Sequence, residues 1–355
     1  MTRIFAYARL AASLTGATGY IGGDALYAIA QAHPAEEYEM TLLVRNSDKG
    51  ALVAKQYPKA RLVYGDLDSV ELITEESSKA DIVCHWANCD HEASAYAIVK
   101  GLSSRSTQSF FIHTSGTGIL TYADVARNSF GTSSTKVYDD WENVSEVTSL
   151  PDQAWHRNVD KIVLAAGGNI KTAIVCPPTI YGPGRGPGNT YSDQWYFMAK
   201  GMMEHKYGFM VGEGQNKWTY IHVHDLSQLY LRLVEEAAQG GGKATWGAEG
   251  YYFAENGEYV WADMAKKIAA EVHKQGFIDT AEVRSIRIEK ANEITPNGGP
   301  KWGYNSRCRA IRANKLFGWT PKGEPIEELL PSLVKDEAMK LGLKAGHAVK
   351  AAGDA

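Results

Sequence analysis

Leu14-Thr15-Gly16-Ala17-Thr18-Gly19-Tyr20-Ile21-Gly22-Gly23 is the stretch on which the fold of this chain turns. Its glycines recur as G-x-x-G-x-x-G, between a short apolar run and an alanine-rich stretch, Asp24–Ala32, that stops near Pro34. Such a loop needs glycine for a tight turn, for close approach of backbone to a pyrophosphate, and for helix-on-strand contact. The free N–H groups of the following helix then face the anion. Gly16, Thr18, Gly19, Tyr20, Ile21 and Gly22 are therefore expected to hold a dinucleotide.

Outward from the loop, the apolar runs Met40–Val44, Arg61–Tyr64, Asp81–His85, Ser109–His113, Thr172–Cys176 and Tyr251–Ala254 alternate with longer amphipathic stretches. That rhythm predicts an α/β chain with a Rossmann-type, doubly wound parallel sheet. The run Thr41–Val44 ends in Arg45. An acidic residue there would hold a ribose 2′-hydroxyl, whereas arginine accommodates a 2′-phosphate, so NADP(H) is expected over NAD. Ala6–Ser13 reads as helical and interrupts the first strand, which is placed at Ala12–Thr15; the interruption is expected to be dispensable for stability. Gly116–Trp155, rich in Ser, Thr, Asn and Asp, reads as a binding loop or an insertion with short elements of its own.

The 355 residues carry a formal net charge of −4, with no basic excess for nucleic acid or an anionic membrane surface. No apolar stretch is long enough to span a bilayer. Cys84, Cys89, Cys176 and Cys308 form no C-x-x-C pair, which suits a reducing compartment and a cytoplasmic address. His85, Cys89 and His91 match no metal-ligand spacing, and no metal is expected there.

The glycine loop, Gly65-Asp66-Leu67, Val83-Cys84-His85-Trp86-Ala87, Phe110–Thr117, Cys176–Gly184, Trp218–Leu226 and Gly318-Trp319-Thr320-Pro321 occur in order over residues 12–325. Together they resemble the extended short-chain dehydrogenase/reductases, the NAD-dependent epimerase/dehydratase-like group. The resemblance implies that Asp66 and Leu67 meet adenine, that Trp86 and Ala87 run along the cofactor, and that Pro177 and Ile180 flank nicotinamide. It implies a sheet domain over 1–180 plus about 215–255, a smaller C-terminal substrate-binding lobe over 181–214 and 256–340, a tail over 341–355, and a homodimer.

The family's Y-x-x-x-K pair departs here. Aligned on Lys161, the tyrosine position holds Arg157, whose guanidinium cannot act as a neutral proton donor. Lys161 is expected to hold the nicotinamide ribose. Ser115 or Thr117 is expected to hold the substrate oxygen, since the usual hydroxyl position falls on Gly116. His156, Tyr138 and Tyr181 remain open as replacements for the missing acid/base, His156 because imidazole titrates near neutral pH. Tyr96–Lys100 and Tyr196–Lys200 also read Y-x-x-x-K but lie in the wrong places. Tyr181 and Trp195 are expected at the substrate, a small, fairly apolar molecule. The resulting expectation is an NADP(H)-dependent reduction of a carbonyl or conjugated carbonyl. A redox-neutral isomerase, epimerase or lyase on the same scaffold, or an NADP-sensing binding protein, is the alternative.

Overall fold

The computed structural model describes residues 10–33 and 37–343. A seven-stranded sheet organises the chain: β1 (Leu10–Thr15), β2 (Tyr38–Val44), β3 (Arg61–Tyr64), β4 (Ile82–His85), β5 (Ser109–Thr114), β6 (Ile170–Cys176) and β7 (Tyr251–Phe253). Every pairing is parallel, in the order β3-β2-β1-β4-β5-β6-β7. Strand order reverses between β1 and β4, and the crevice at the carboxyl ends of those strands is where such sheets bind ligands. The strand runs read from the sequence all lie in this sheet, because strands covered on both faces read as near-continuous apolar runs.

One expectation fails at the N-terminus. Leu10–Thr15 is strand, with Ala11, Ala12 and Ser13 in register against Glu39, Met40 and Thr41. Leu10–Ser13 is therefore part of the central strand and not helical; residues 6–9 lie outside the described residues.

Alternation along the strands separates two cores. Cys84 and Ile112 face helices α1 (Tyr20–Ala32) and Val223–Ala238, among Leu26, Ile29, Leu229 and Leu233. Val83 and Phe111 face Glu92–Ser103 and α2 (Arg157–Ala165), among Ile98, Leu102, Val159 and Val163. A third core gathers Trp195, Met202, Phe209, Trp261 and Trp302 between the helices Gln194–His205, Trp261–Lys274 and Ile326–Lys340. Gly116–Trp155 carries only short elements, as its composition suggested. Of the tail, 341–343 follows the last helix, and 344–355 lies outside the described residues. No helix among the described residues is long and apolar enough to cross a membrane.

The loop 182–190 lies across the start of α1. Asp24, fully buried, accepts from Arg185 at 2.7 and 2.9 Å and from Ser227 Oγ at 2.6 Å. Burial alone would raise the Asp24 carboxyl, but these bonds outweigh it and hold the group below the usual carboxylate range.

Candidate active site

The glycine loop turns tightly between β1 and α1. Gly16 has φ +84°, and a Cβ there would sit 2.6 Å from the carbonyl carbon of Trp86. The strand end Trp86-Ala87 thus passes directly against the loop. Gly19 caps α1 with no side-chain hydrogen bond, so the first-turn N–H groups stay available to an anion. Thr18 O accepts from Asn189 N at 2.9 Å, and Tyr20 donates its hydroxyl to Gly182 O at 2.5 Å. Arg45 is exposed at the end of β2, beside Asn46, which caps the next helix by accepting from Lys49 N. Asp66 follows β3, with Oδ1 engaged by Ser69 Oγ at 2.9 Å; Leu67 is next to it.

A cavity of about 610 Å³ opens beside the loop. Ile21 from α1 lines one side, with Pro177, Pro178 and Ile180 after β6. Ser115, Gly116, Thr117 and Gly118, after β5, line another side with Trp155 and His156; Trp218 and Lys301 complete the lining. Thr117 Oγ1 and Trp218 Nε1 are buried and have no partner among the described residues. Lys301 Nζ pairs with Asp193 at 2.7 Å.

His156 stands at the centre of this wall. It caps α2 from the left-handed region, φ +63°, which aims its ring into the cavity wall rather than along the helix. A Cβ on Gly116 or on Gly118 would each meet His156 Nε2 at 3.0 Å, so only glycine leaves this ring its place. Nδ1 donates to Asp90 Oδ1 at 2.7 Å, with Cys89 Sγ at 3.3 Å. Burial pulls the imidazole down, but Asp90 and Cys89 outweigh it and push its pKa up to about 10. A carboxylate on Nδ1 leaves Nε2 as the proton-carrying atom toward the cavity, the arrangement that general acid–base chemistry needs. Cys89, Asp90 and His156 also bring potential ligand atoms within 4.8 Å of one another.

Four sequence expectations require correction. Lys161 does not line the cavity; it lies half exposed on the outer face of α2, with Nζ 2.8 Å from Asp152. The inward position one residue earlier is Asp160, fully buried, accepting from Ser115 Oγ at 3.0 Å and Tyr251 hydroxyl at 3.2 Å. Tyr138 does not fold over the site: it is buried in a two-residue strand paired with Cys308–Arg309. Tyr181 and Trp195 are buried, their rings tilted at 46° with centroids 5.5 Å apart, and the Tyr181 hydroxyl donates to Glu324 O. Those two rings belong to core packing, and Trp155 and Trp218 supply the aromatic surface of the cavity instead. Neither Tyr96 nor Tyr196 lines the cavity. His91 pairs with Asp68, and His85 is buried against His113.

A family model described as the NAD dependent epimerase/dehydratase family matches residues 12–246. The curated protein Oxidase ucsJ of Acremonium sp is 37% identical over 342 residues, covering 93% of this chain and 98% of its own. Among solved structures, the UDP-glucose 4-epimerase of Thermotoga maritima matches with a TM-score of 0.61 at 15% identity, over 94% of this chain and 100% of that one. The dTDP-glucose 4,6-dehydratase DesIV of Streptomyces venezuelae, solved with NAD bound, matches with a TM-score of 0.64 at 15% identity, over 93% and 97%. At such identities the structural likeness is one of fold.

Proposed function

This chain belongs to the NAD dependent epimerase/dehydratase family and is an enzyme, and from that premise we propose that it is an NADP(H)-dependent oxidoreductase acting on the carbonyl or conjugated carbonyl of a small, fairly apolar molecule. The observation that carries the reading is His156, with Nδ1 tied to Asp90 and Nε2 turned to a cavity that begins at the dinucleotide loop. The relative named an oxidase, 37% identical along nearly the whole chain, supports net redox chemistry.

The loop fits a dinucleotide: α1 has no side-chain cap, so its first-turn N–H groups remain for an anion, and the glycines let the backbone come close. Gly16, Thr18, Gly19, Tyr20, Ile21 and Gly22 would take the pyrophosphate, and Arg45 with the following helix start would take a 2′-phosphate. Asp66 and Leu67 would flank adenine, and Trp86, Ala87, Pro177 and Ile180 the rest of the cofactor. When bound, NADPH supplies the hydride. The chain supplies a proton at His156 Nε2 and anchors the substrate oxygen through the unpartnered Thr117 hydroxyl or Trp218 indole N–H. Trp155 and Trp218 exclude water from the reacting centre.

The cavity's charges point the same way. Asp90, Asp152 and Asp193 line it, and Lys301, its lysine, is already paired with Asp193. That wall offers poor company to a diphosphate, which favours an uncharged substrate over a nucleotide sugar. The alternative is a redox-neutral isomerase or epimerase reaction on the same scaffold, which the names of the structural relatives favour. A substrate-dependent fall in NADPH absorbance across a panel of small carbonyl compounds supports net reduction; product without any such change supports the redox-neutral reading.

The cofactor reading has its own test. Losing charge-assisted bonds worth about 1.5–3 kcal/mol makes Arg45→Ala bind NADPH roughly ten- to a hundredfold more weakly, with NADH affinity unchanged. Fluorescence titration of both cofactors reads this directly, and equal weakening for both would sink the choice of NADP(H).

A further inference from the structure

We propose that Asp160 is held as a neutral carboxylic acid, its proton on the oxygen that faces His113, and that in this state it fixes the direction of the Ser115 hydroxyl at the cavity floor. The proposal rests on the active-site reading above for Ser115's place in the cavity, and on a chain of buried groups behind it.

Hydrogen-bond directions in that chain can be assigned one after another. Ser94 Oγ donates its single proton to His91 O at 2.9 Å, because a carbonyl oxygen can only accept. The contact of Ser94 Oγ with His85 Nε2, 3.1 Å, must therefore run from the ring. A neutral imidazole has one N–H, so His85 Nδ1 is an acceptor. His113 Nδ1, 3.2 Å away, must then donate to it. That leaves His113 Nε2 as a bare lone pair. It faces Asp160 Oδ1 at 3.8 Å, and neither atom has another hydrogen-bond partner among the described residues.

A lone pair facing a carboxylate oxygen in a dry interior would be repulsive at both ends, and each unsatisfied buried group costs about 1–3 kcal/mol. A proton on Oδ1 turns that repulsion into attraction; at 3.8 Å the contact is electrostatic and not a hydrogen bond. Both histidines are fully buried, and burial holds His85 at about 4 and His113 well below the ordinary imidazole range, so the proton belongs on the carboxyl. Burial also drives the Asp160 carboxyl upward, to about 6.

Every element around Asp160 contributes a group. His156 and Arg157 from its own helix, by their charge, and the Ser115 and Tyr251 hydroxyls, by donating to Oδ2, all favour ionisation. The buried Cys176 thiol at the end of β6 and neutral His113 on β5 complete the surroundings. With the acidic proton on Oδ1, Oδ2 is a carbonyl-type acceptor for Ser115 Oγ–H. Ser115 therefore turns its hydrogen inward and presents lone pairs to the cavity. It accepts from a substrate hydroxyl, and donation to a substrate carbonyl falls to His156 and Thr117. Asp160 is a positioning residue, acting through Ser115.

The test uses the ligand-free protein and needs no turnover, so its outcome is independent of whether the oxidoreductase reading holds. An infrared spectrum of protein labelled with 13C-aspartate, at about pH 5, below the Asp160 value of about 6, is expected to show a protonated-carboxyl C=O band that moves in D2O. The band should vanish in Asp160→Asn and shift in Ser115→Ala, which preserves the assignment if the first variant fails to fold. Carboxylate bands alone would overturn the proposal. Asp160→Asn is expected to melt within a few degrees of wild type near pH 6, since an amide can donate to His113 and accept from Ser115 and Tyr251. A carboxyl raised in the folded state gives stability that is complete below its unfolded value and lost as pH rises through its folded one. The melting temperature of wild type should accordingly fall from about pH 4 to about pH 6 relative to Asp160→Asn, and run level with it above that. A parallel pair of profiles would contradict it.

Discussion

His156→Ala is expected to lower the rate of hydride transfer by about a hundredfold or more, while leaving NADPH affinity within a few-fold of wild type. The effect is large because the ring faces the cavity and the other groups there are engaged elsewhere: Ser115 is tied to Asp160, Lys301 to Asp193 and Asp152 to Lys161, while Lys161 and Tyr138 lie away from the cavity. Affinity should hold because the dinucleotide loop is on α1, and His156 is on the opposite wall. The pH dependence has a definite sign. With its pKa at about 10, His156 carries its proton at neutral pH, so reduction should persist through neutrality and fall as pH rises through that value. The same raised value contributes folding stability that is complete below the ordinary imidazole range and lost as pH approaches 10. Asp90→Asn removes the carboxylate from Nδ1 and should move the alkaline limb of the rate profile to lower pH. Single-turnover rates against pH check both variants; a decline of less than tenfold in His156→Ala would remove this residue from the chemistry.

The contrast between Lys161 and His156 shows what was legible in the sequence. The sheet was, because each strand run is short, apolar and bounded by turn residues, and the glycine loop marked the end of β1 beside which the cavity opens. The helix register was not, because Lys161 attracted the alignment by its chemical type. One residue of an α-helix turns its side chain by about 100°, enough to carry a lysine from cavity to solvent. Burial of Val159, Asp160, Ile162 and Val163 marks the inward face, and the apolar members of that set were visible as a pattern at helical spacing. Reading the face before the motif would have placed His156 and Asp160, four apart, on the same side. Asp90 and Asp24 had no such signal: each finds its partner only through the fold, across 66 and 161 positions of chain. Trp195 and Tyr181 failed for the opposite reason, since aromatic residues beside a cleft serve equally as its wall or as the core behind it.

Gly16→Ala is expected to cost most among substitutions in the loop, in stability and in cofactor binding together. Two penalties add at this position. A φ of +84° is strained for any L-residue with a Cβ, by about 1–2 kcal/mol. The new methyl would also sit 2.6 Å from the carbonyl carbon of Trp86, 2.7 Å from its oxygen and 2.8 Å from the nitrogen of Ala87, all backbone atoms of a strand end that cannot swing aside. Overpacking of that kind costs about 1–3 kcal/mol. Relief can come only by moving the loop off the strand end, which displaces the first-turn N–H groups from the pyrophosphate. A fall in melting temperature of roughly 5–10 °C is therefore expected, with NADPH affinity reduced at least tenfold. Two controls separate the contributions. Gly318→Ala, at φ +66° with no atom within 4 Å of its new Cβ, should show the backbone penalty alone and bind NADPH normally. Gly167→Ala, also with nothing within 4 Å but without a positive φ, should melt with or above wild type. If Gly16→Ala matched Gly318→Ala in both measurements, the contact with Trp86 would not be what holds the loop, and the close fit of strand end to glycine loop would lose its place in cofactor binding.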